Sequence, residues 1–331
     1  MATQDNRTGW AIVGLGNVVV NRFAPALVKS PNSALVACAT RDVEKARAFA
    51  ARFGNPRVHA TFDALLQDAE VQALYIASPN SLHYQQARDA LLAGKHVLCE
   101  KPLAHEATQG RELARLADER KVCLHVAYQF RFESVVERMR ELVRAGAIGE
   151  PRAVVLTGAS PATITGAWRS DPAEGGILSD LGVHLLDLVS WLAGARFTDV
   201  AARANPPDMR REPVRTISVL GTLQGNCHAY VRASRELGQG QQALTIEGSK
   251  GTLSASAWRN ASEYTLTIVD GAGTRSEQHA AVPIFEREIA AFEDELAGKP
   301  STLATAADGV HAIEVASAVW RSAASGTIVG V

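Results

Sequence analysis

Lys101 stands between Glu100 and Pro102, directly after the apolar run His96-Val97-Leu98-Cys99 and beyond a helix closed by Gly94. A lysine so placed lies at the carboxyl end of a buried parallel strand, the edge at which open α/β sheets bind ligands. Pro102 stops the strand and fixes the backbone after it. Burial and a neighbouring carboxylate tune a lysine for proton transfer. A strand end capped by a surface ion pair has the same residues. Asp180 and His184 stand four apart on a helix expected after Gly175-Gly176, so they share one face. A carboxylate there can hold an imidazole tautomer, or both groups can reach a substrate hydroxyl, and histidine suits proton transfer near neutral pH. Asp187 is a second candidate orienter, three residues beyond His184, and a structural Asp–His pair fits the same spacing.

A second constellation points to a dinucleotide. Gly14-Leu15-Gly16, with Asn17 and Val18 behind it, follows a predicted strand and precedes a helix. Glycines in that context let the backbone approach a pyrophosphate at a helix N-terminus. The third fingerprint position is Val19 rather than a small residue, which predicts looser strand–helix packing, and Pro25 predicts a helix that kinks or starts late. At the end of the second strand an NAD site usually carries an acidic residue and an NADP site a cation. This chain has Thr40-Arg41 there. Arg41 can pair with a 2′-phosphate and Thr40 can donate a hydroxyl, whereas Asp42 is better used as a helix cap. NADP(H) is therefore favoured over NAD(H), with a solvated Arg41 as the competing reading. Ser78-Pro79-Asn80-Ser81-Leu82-His83 follows the fourth strand and borders the same cleft. Asn80 can bind a cofactor hydroxyl or, like Ser81, cap the next helix.

The elements that must position these groups alternate over the first 130 or so residues. Strands are expected at Trp10–Val13, Ala34–Ala39, Val58–Ala60, Leu74–Ala77, His96–Cys99 and Val122–Val126, with amphipathic helices between them. That order implies a parallel sheet covered on both faces. Beyond about residue 150 the pattern changes to strands without intervening helices: Thr216–Thr222, His228–Ala233, Ala243–Ile246, Gly251–Ser256 and Tyr264–Val269. They imply one large antiparallel or mixed sheet. Arg203–Pro213, with Pro206-Pro207, reads as a loop, and two helices, about Glu286–Ala297 and Asp308–Ala324, follow the strands.

Composition narrows the class. The 331 residues allow two domains, and a net charge of −1 gives no electrostatic footprint for nucleic acid or an acidic membrane. No apolar run reaches membrane-span length and the N-terminus is polar, so a cytoplasmic location is expected. Cys38, Cys99, Cys123 and Cys227 match no zinc spacing and read as small buried hydrophobes, so no metal is expected.

Taken in order and spacing, these motifs resemble the glucose–fructose oxidoreductase / inositol dehydrogenase / rhizopine-catabolism (Gfo/Idh/MocA) family over nearly the whole chain. The resemblance rests on Gly14-Leu15-Gly16, Thr40-Arg41-Asp42, Ser78-Pro79-Asn80 with His83, Ala93 to Pro102, Arg131-Phe132, and Gly175 to His184. It implies an α/β chain: an N-terminal Rossmann dinucleotide-binding domain, residues 1–128, and a C-terminal α/β domain, residues 129–331, with a large, mainly antiparallel open sheet. It implies an NAD(P)-dependent dehydrogenase or reductase acting on a sugar, polyol or related cyclic alcohol or ketone. Lys101 matches the family's catalytic lysine, Asp180 and His184 its C-domain pair, and Glu100 a residue near the cofactor ribose. Trp168-Arg169 resembles a pair that touches cofactor in the NADP-linked branch, and Gln129 stands where Asn is common. The resemblance further implies a homodimer or homotetramer. A redox-neutral glycosidase or lyase of the same family, and a non-catalytic dinucleotide sensor, are the rival functions.

Overall fold

The computed structural model describes residues 7–160, 172, 176–237 and 242–331. It contains two compact units, Met1–Gln129 with Pro283–Val310, and Phe130–Val282 with His311–Val331. The second region is therefore not one continuous stretch: a late segment returns to the first unit. Among the described residues no helix is long and apolar enough to cross a membrane.

The first unit is built on six parallel strands: β1 (Thr8–Val13), β2 (Ser33–Ala39), β3 (Arg57–His59), β4 (Ala73–Ile76), β5 (His96–Cys99) and β6 (Leu124–Val126). Between them run α1 (Ala24–Leu27), α2 (Val43–Arg52), α3 (Phe62–Leu66), α4 (Asn80–Leu92) and α5 (Ala107–Arg120). The strand order is β3-β2-β1-β4-β5-β6, with the short antiparallel strand Ala304–Thr305 beyond β6. Every residue of β4 is buried, as is all of β5 but His96, because both faces of a parallel sheet are covered. The order reverses between β1 and β4, and such a switch point opens a crevice at the strands' carboxyl ends.

The second unit carries α6 (Ser134–Arg144), β7 (Pro151–Ala159) and α7 (Val183–Ala193). Seven strands follow: β8 (Phe197–Asn205), β9 (Thr216–Leu223), β10 (Cys227–Ser234), β11 (Ala243–Gly248), β12 (Gly251–Ala255), β13 (Glu263–Asp270) and β14 (Gly273–Ala280). They form a sheet of order β14-β13-β12-β11-β7-β10-β9-β8, extended past β8 by Val329–Gly330. All pairs are antiparallel except β7 with β10. Burial alternates along β9 and β10, so one face packs in the core while Leu220 and Tyr230, directly opposite each other, are exposed. The edge strand β14, Gly-Thr-Arg-Ser-Glu-Gln-His-Ala, is mostly exposed, and the Arg138 guanidinium grips its Glu277 through two hydrogen bonds of 2.8 and 3.0 Å. Arg203–Asn205, expected in a loop, are the last residues of β8; the chain leaves the sheet only at Pro206.

The returning segment holds α8 (Ile284–Leu296), and α9 (Ala306–Ser325) follows. Within the first unit α8 sets Phe292 against Trp10, ring centroids 4.8 Å apart, and Phe23 stacks on Tyr75 at 3.5 Å. The Trp10 indole N–H donates to Ser33 Oγ at 2.9 Å, and that hydroxyl donates to Glu293 on α8 at 2.5 Å. Each of these buried rings is worth about 1.5–3 kcal/mol of transfer free energy. A segment 260 residues away in sequence thereby completes the core under β1 and β4.

Candidate active site

The turn after β1 can be made only with glycine at its first position. Gly14 has φ +86°, and a Cβ there would lie 2.5 Å from the Ala77 carbonyl oxygen and 2.6 Å from the Ser78 nitrogen, so this turn sits against the one after β4. Gly16 is the opposite case: a Cβ would meet nothing within 4 Å. Gly16, Asn17 and Val18 are exposed at the start of the following helix. An open glycine before helix N–H groups is an anion-binding arrangement and fits a dinucleotide pyrophosphate. The helix does not start late: it begins at Asn17, well ahead of Pro25. It contains a π turn, Val19–Phe23, closed by the Ala24 N–H to the Val19 carbonyl. The wider turn accommodates the ring of Pro25, which a regular α turn would drive into a carbonyl. Val19 itself is fully buried.

At the end of β2, Thr40 is half-buried and Arg41 exposed. The Asp42 carboxylate accepts the Lys45 N–H at 3.0 Å and caps α2, which leaves Arg41 as the charged group facing outward. After β4, Ser78 Oγ donates to Gln86 at 2.6 Å, and Asn80 is the first residue of α4 behind Pro79; neither Asn80 nor Ser81 is the cap. His83 is only 1% exposed, and its ring nitrogens lie 2.7 Å from the Pro102 carbonyl and 2.9 Å from the Ser78 carbonyl. It ties the turn after β4 to the turn after Lys101 and has almost no open surface of its own. Burial lowers its pKa.

Lys101, half-buried, follows β5, and the peptide to Pro102 is cis. Glu100 is fixed from two sides: Tyr75 donates its phenol proton to Oε1 at 2.6 Å, and the Lys101 backbone N–H donates to Oε2 at 3.3 Å. Below this pair lies a group that sequence reading missed. Glu288 on α8 is fully buried, and neither carboxyl oxygen has a hydrogen-bond partner among the described residues. Burial first, and the Glu100 charge second, push its pKa well above the carboxylate range. Burial, Glu100 and Glu288 push the Tyr75 phenol up as well.

The Glu288 shift has a definite sign for stability. A carboxyl whose folded pKa is raised must hold a proton to fold, so its contribution is complete below the unfolded value of 4.5 and declines as pH rises toward the folded value. The expected loss is about 1.4 kcal/mol per pH unit across that window. Glu288→Gln mimics the neutral acid and should flatten the decline, with little change at pH 4–5 and a gain at higher pH (both approximate). Melting temperatures of both proteins across pH test this; parallel curves would refute it.

Gln129 opens a 3₁₀ turn, Gln129–Phe132, and is 7% exposed. Its side-chain Oε1 is buried with no hydrogen-bond partner among the described residues, and so fits an incoming amide donor such as a carboxamide.

In the second unit Asp180 lies in a π turn, Leu178–Gly182, that leads into α7. Its Oδ2 accepts from Arg235 Nη2 at 2.6 Å. His184 is 4% exposed, its ring 4.5 Å from that of Phe130. Phe130 in turn lies under the Arg259 guanidinium, 5.0 Å away, which also covers Trp258 at 5.5 Å. Burial lowers the Arg259 pKa, while Glu133 and Asp180 counteract it. Burial raises Glu133 to about 7, against the pull of the Tyr264 hydroxyl, which donates to it at 3.1 Å, and of Arg259. Asp187, on α7, is engaged by an arginine. Its two oxygens accept from Arg131 at 2.8 and 2.5 Å in a buried bidentate pair. Trp168, Arg169 and Gly175 lie outside the described residues. Arg235, Arg259 and Glu133 carried no local signal in the sequence, because each acquires its meaning from a partner distant along the chain.

Residues 8–128 match the oxidoreductase family described as having an NAD-binding Rossmann fold, and residues 136–254 match the GFO/IDH/MocA C-terminal domain. The chain is 35% identical over 252 residues to a dTDP-3,4-didehydro-2,6-dideoxy-alpha-D-glucose 3-reductase of Streptomyces violaceoruber, covering 71% of each chain. Its fold is similar to that of KijD10, a 3-ketoreductase of Actinomadura kijaniata in complex with NADP and TDP-benzene, with TM-score 0.83, 25% identity, and 96% and 98% of the two chains covered. It is similar too to GenD2 from gentamicin A biosynthesis in complex with NAD, with TM-score 0.85, 27% identity, and 98% and 97% covered.

Proposed function

Because the chain belongs to the Gfo/Idh/MocA family and is thus an NAD(P)-dependent oxidoreductase, we propose that it uses NADP(H) to interconvert a sugar or polyol-like cyclic alcohol and its ketone. The observation that carries this reading is Lys101, held at the carboxyl edge of β5 by a Glu100 whose two oxygens are both engaged. When bound, the nicotinamide supplies the hydride chemistry. The Gly14–Gly16 turn and the helix behind it would hold the pyrophosphate, and Gln129 Oε1 would receive the carboxamide. In reduction Lys101 delivers a proton to the carbonyl oxygen, and in oxidation it removes one from the hydroxyl. His184, buried beside Phe130, is the second group competent for that transfer. That the Streptomyces relative is named a 3-reductase of a didehydro-dideoxyglucose supports a ring ketone of a sugar as substrate.

NADP(H) preference rests on Arg41, exposed where Asp42 is already spent as a cap. A charge-assisted contact to the 2′-phosphate is worth about 1.5–3 kcal/mol. Arg41→Ala is therefore expected to weaken NADPH binding about 10- to 100-fold and leave NADH binding nearly unchanged. Fluorescence titration with both cofactors measures it, and equal NADPH affinity in wild type and variant would remove Arg41 from the site. Self-association into a homodimer or homotetramer is supported by the exposed Leu220–Tyr230 pair on the sheet face of the second unit.

A further inference from the structure

The sequence spacing gave no metal motif, yet the fold of the first unit assembles one from distant segments. Cys123 and His125 are two apart at β6, so they project from the same side of the sheet. The last turn of α8 brings Glu295 to them, and the thiol sulfur, an imidazole nitrogen and a carboxylate oxygen all lie within 4.8 Å of one another. None of the three belongs to the residues assigned above to cofactor or substrate. We propose that Cys123, His125 and Glu295 form a transition-metal site of the zinc class.

The surroundings are those of a ligand set. His125 Nδ1 lies 3.2 Å from the Ala304 carbonyl, an acceptor only, so Nδ1 carries the proton and Nε2 the lone pair. Nε2 is the nitrogen 3.8 Å from Glu295 Oε1. The other Glu295 oxygen accepts from Ser301 Oγ at 2.6 Å. Outer hydrogen bonds that fix an imidazole tautomer and hold a ligating carboxylate are the usual support of a metal centre. The Cys123 backbone is pinned by its N–H to His96 Nδ1 at 3.0 Å. Donors about 2.0–2.3 Å from a tetrahedral ion are roughly 3.3–3.8 Å apart, so the set must contract by about 1 Å. The Glu295 side chain, 34% exposed, has the freedom to do so, and the open side leaves a fourth position for water. Mixed sulfur, nitrogen and oxygen donors suit zinc or cobalt and disfavour calcium or magnesium. The bound ion would fasten α8 to β6.

The test is titration of cobalt(II) into the metal-stripped full-length chain. Saturation at one equivalent with a thiolate-to-cobalt charge-transfer band, lost on adding zinc, is the expected result. Cys123→Ser and Glu295→Gln, both at partly exposed positions, should each weaken or abolish the band while circular dichroism and NADPH binding are retained. Zinc should raise the melting temperature of the wild type and not of Cys123→Ser. Absence of the band with cobalt in excess, or a band that persists in both variants, would overturn the site.

Discussion

Lys101→Ala is expected to lower kcat about 10²- to 10⁴-fold, the range for removing a positioned proton donor, with cofactor affinity nearly unchanged. The geometry separates this outcome from a loss of folding. Lys101 is half-buried, and Glu100 accepts from Tyr75 and from a backbone N–H that alanine retains. The fold around the site therefore survives the truncation. If Lys101 transfers the proton, kcat and kcat/KM fall together, because the contact is made in the transition state. If His184 transfers it, Lys101→Ala raises KM while His184→Asn carries the loss in kcat. Near-normal turnover in a folded, NADPH-binding Lys101→Ala protein would remove lysine from the mechanism.

Asp187→Ala should destabilise the second unit by about 3–5 kcal/mol, the cost of breaking a buried ion pair by removing one partner. Arg131 and Asp187 each have side chains only 3% exposed. The guanidinium also sits 5.6 Å from the Trp191 ring, so it has packing that keeps it in place after its partner is gone. Chemical denaturation compares the variant with the wild type. A variant of unchanged stability and greatly reduced activity would return Asp187 to the role of orienting His184.

How much could be read beforehand depended on the range of the signal. Strands β1, β2, β4 and β5 were legible because a parallel sheet demands unbroken apolar runs, and β9 and β10 because one wet face forces alternation. The place of Lys101 just past β5, Asp42 as a cap, and Gly14 were legible because local chemistry dictates them. Strand β14 was missed because an edge strand with two polar faces has no period to detect. The end of β8 was lost to the turn signal of Pro206-Pro207. The site's electrostatics stayed hidden for a different reason. Glu288 looks like one more charge on an amphipathic helix until α8 is placed under Glu100, and Asp180 gains its Arg235 partner across 55 residues of sequence. Asp187 was ambiguous by construction, since helix spacing offers it to His184 while packing gives it to Arg131.

The two margins of the large sheet have a consequence for the protein at high concentration. One margin is β14, with Arg275, Glu277 and His279 along it; the other is the two-residue strand Val329–Gly330. A long, flat, apolar margin would offer its backbone N–H and carbonyl groups to another chain and seed fibrillar growth. Here one side is charged and the other too short to template a partner. The margins of the sheet thereby withhold the backbone ladder from which polymers grow.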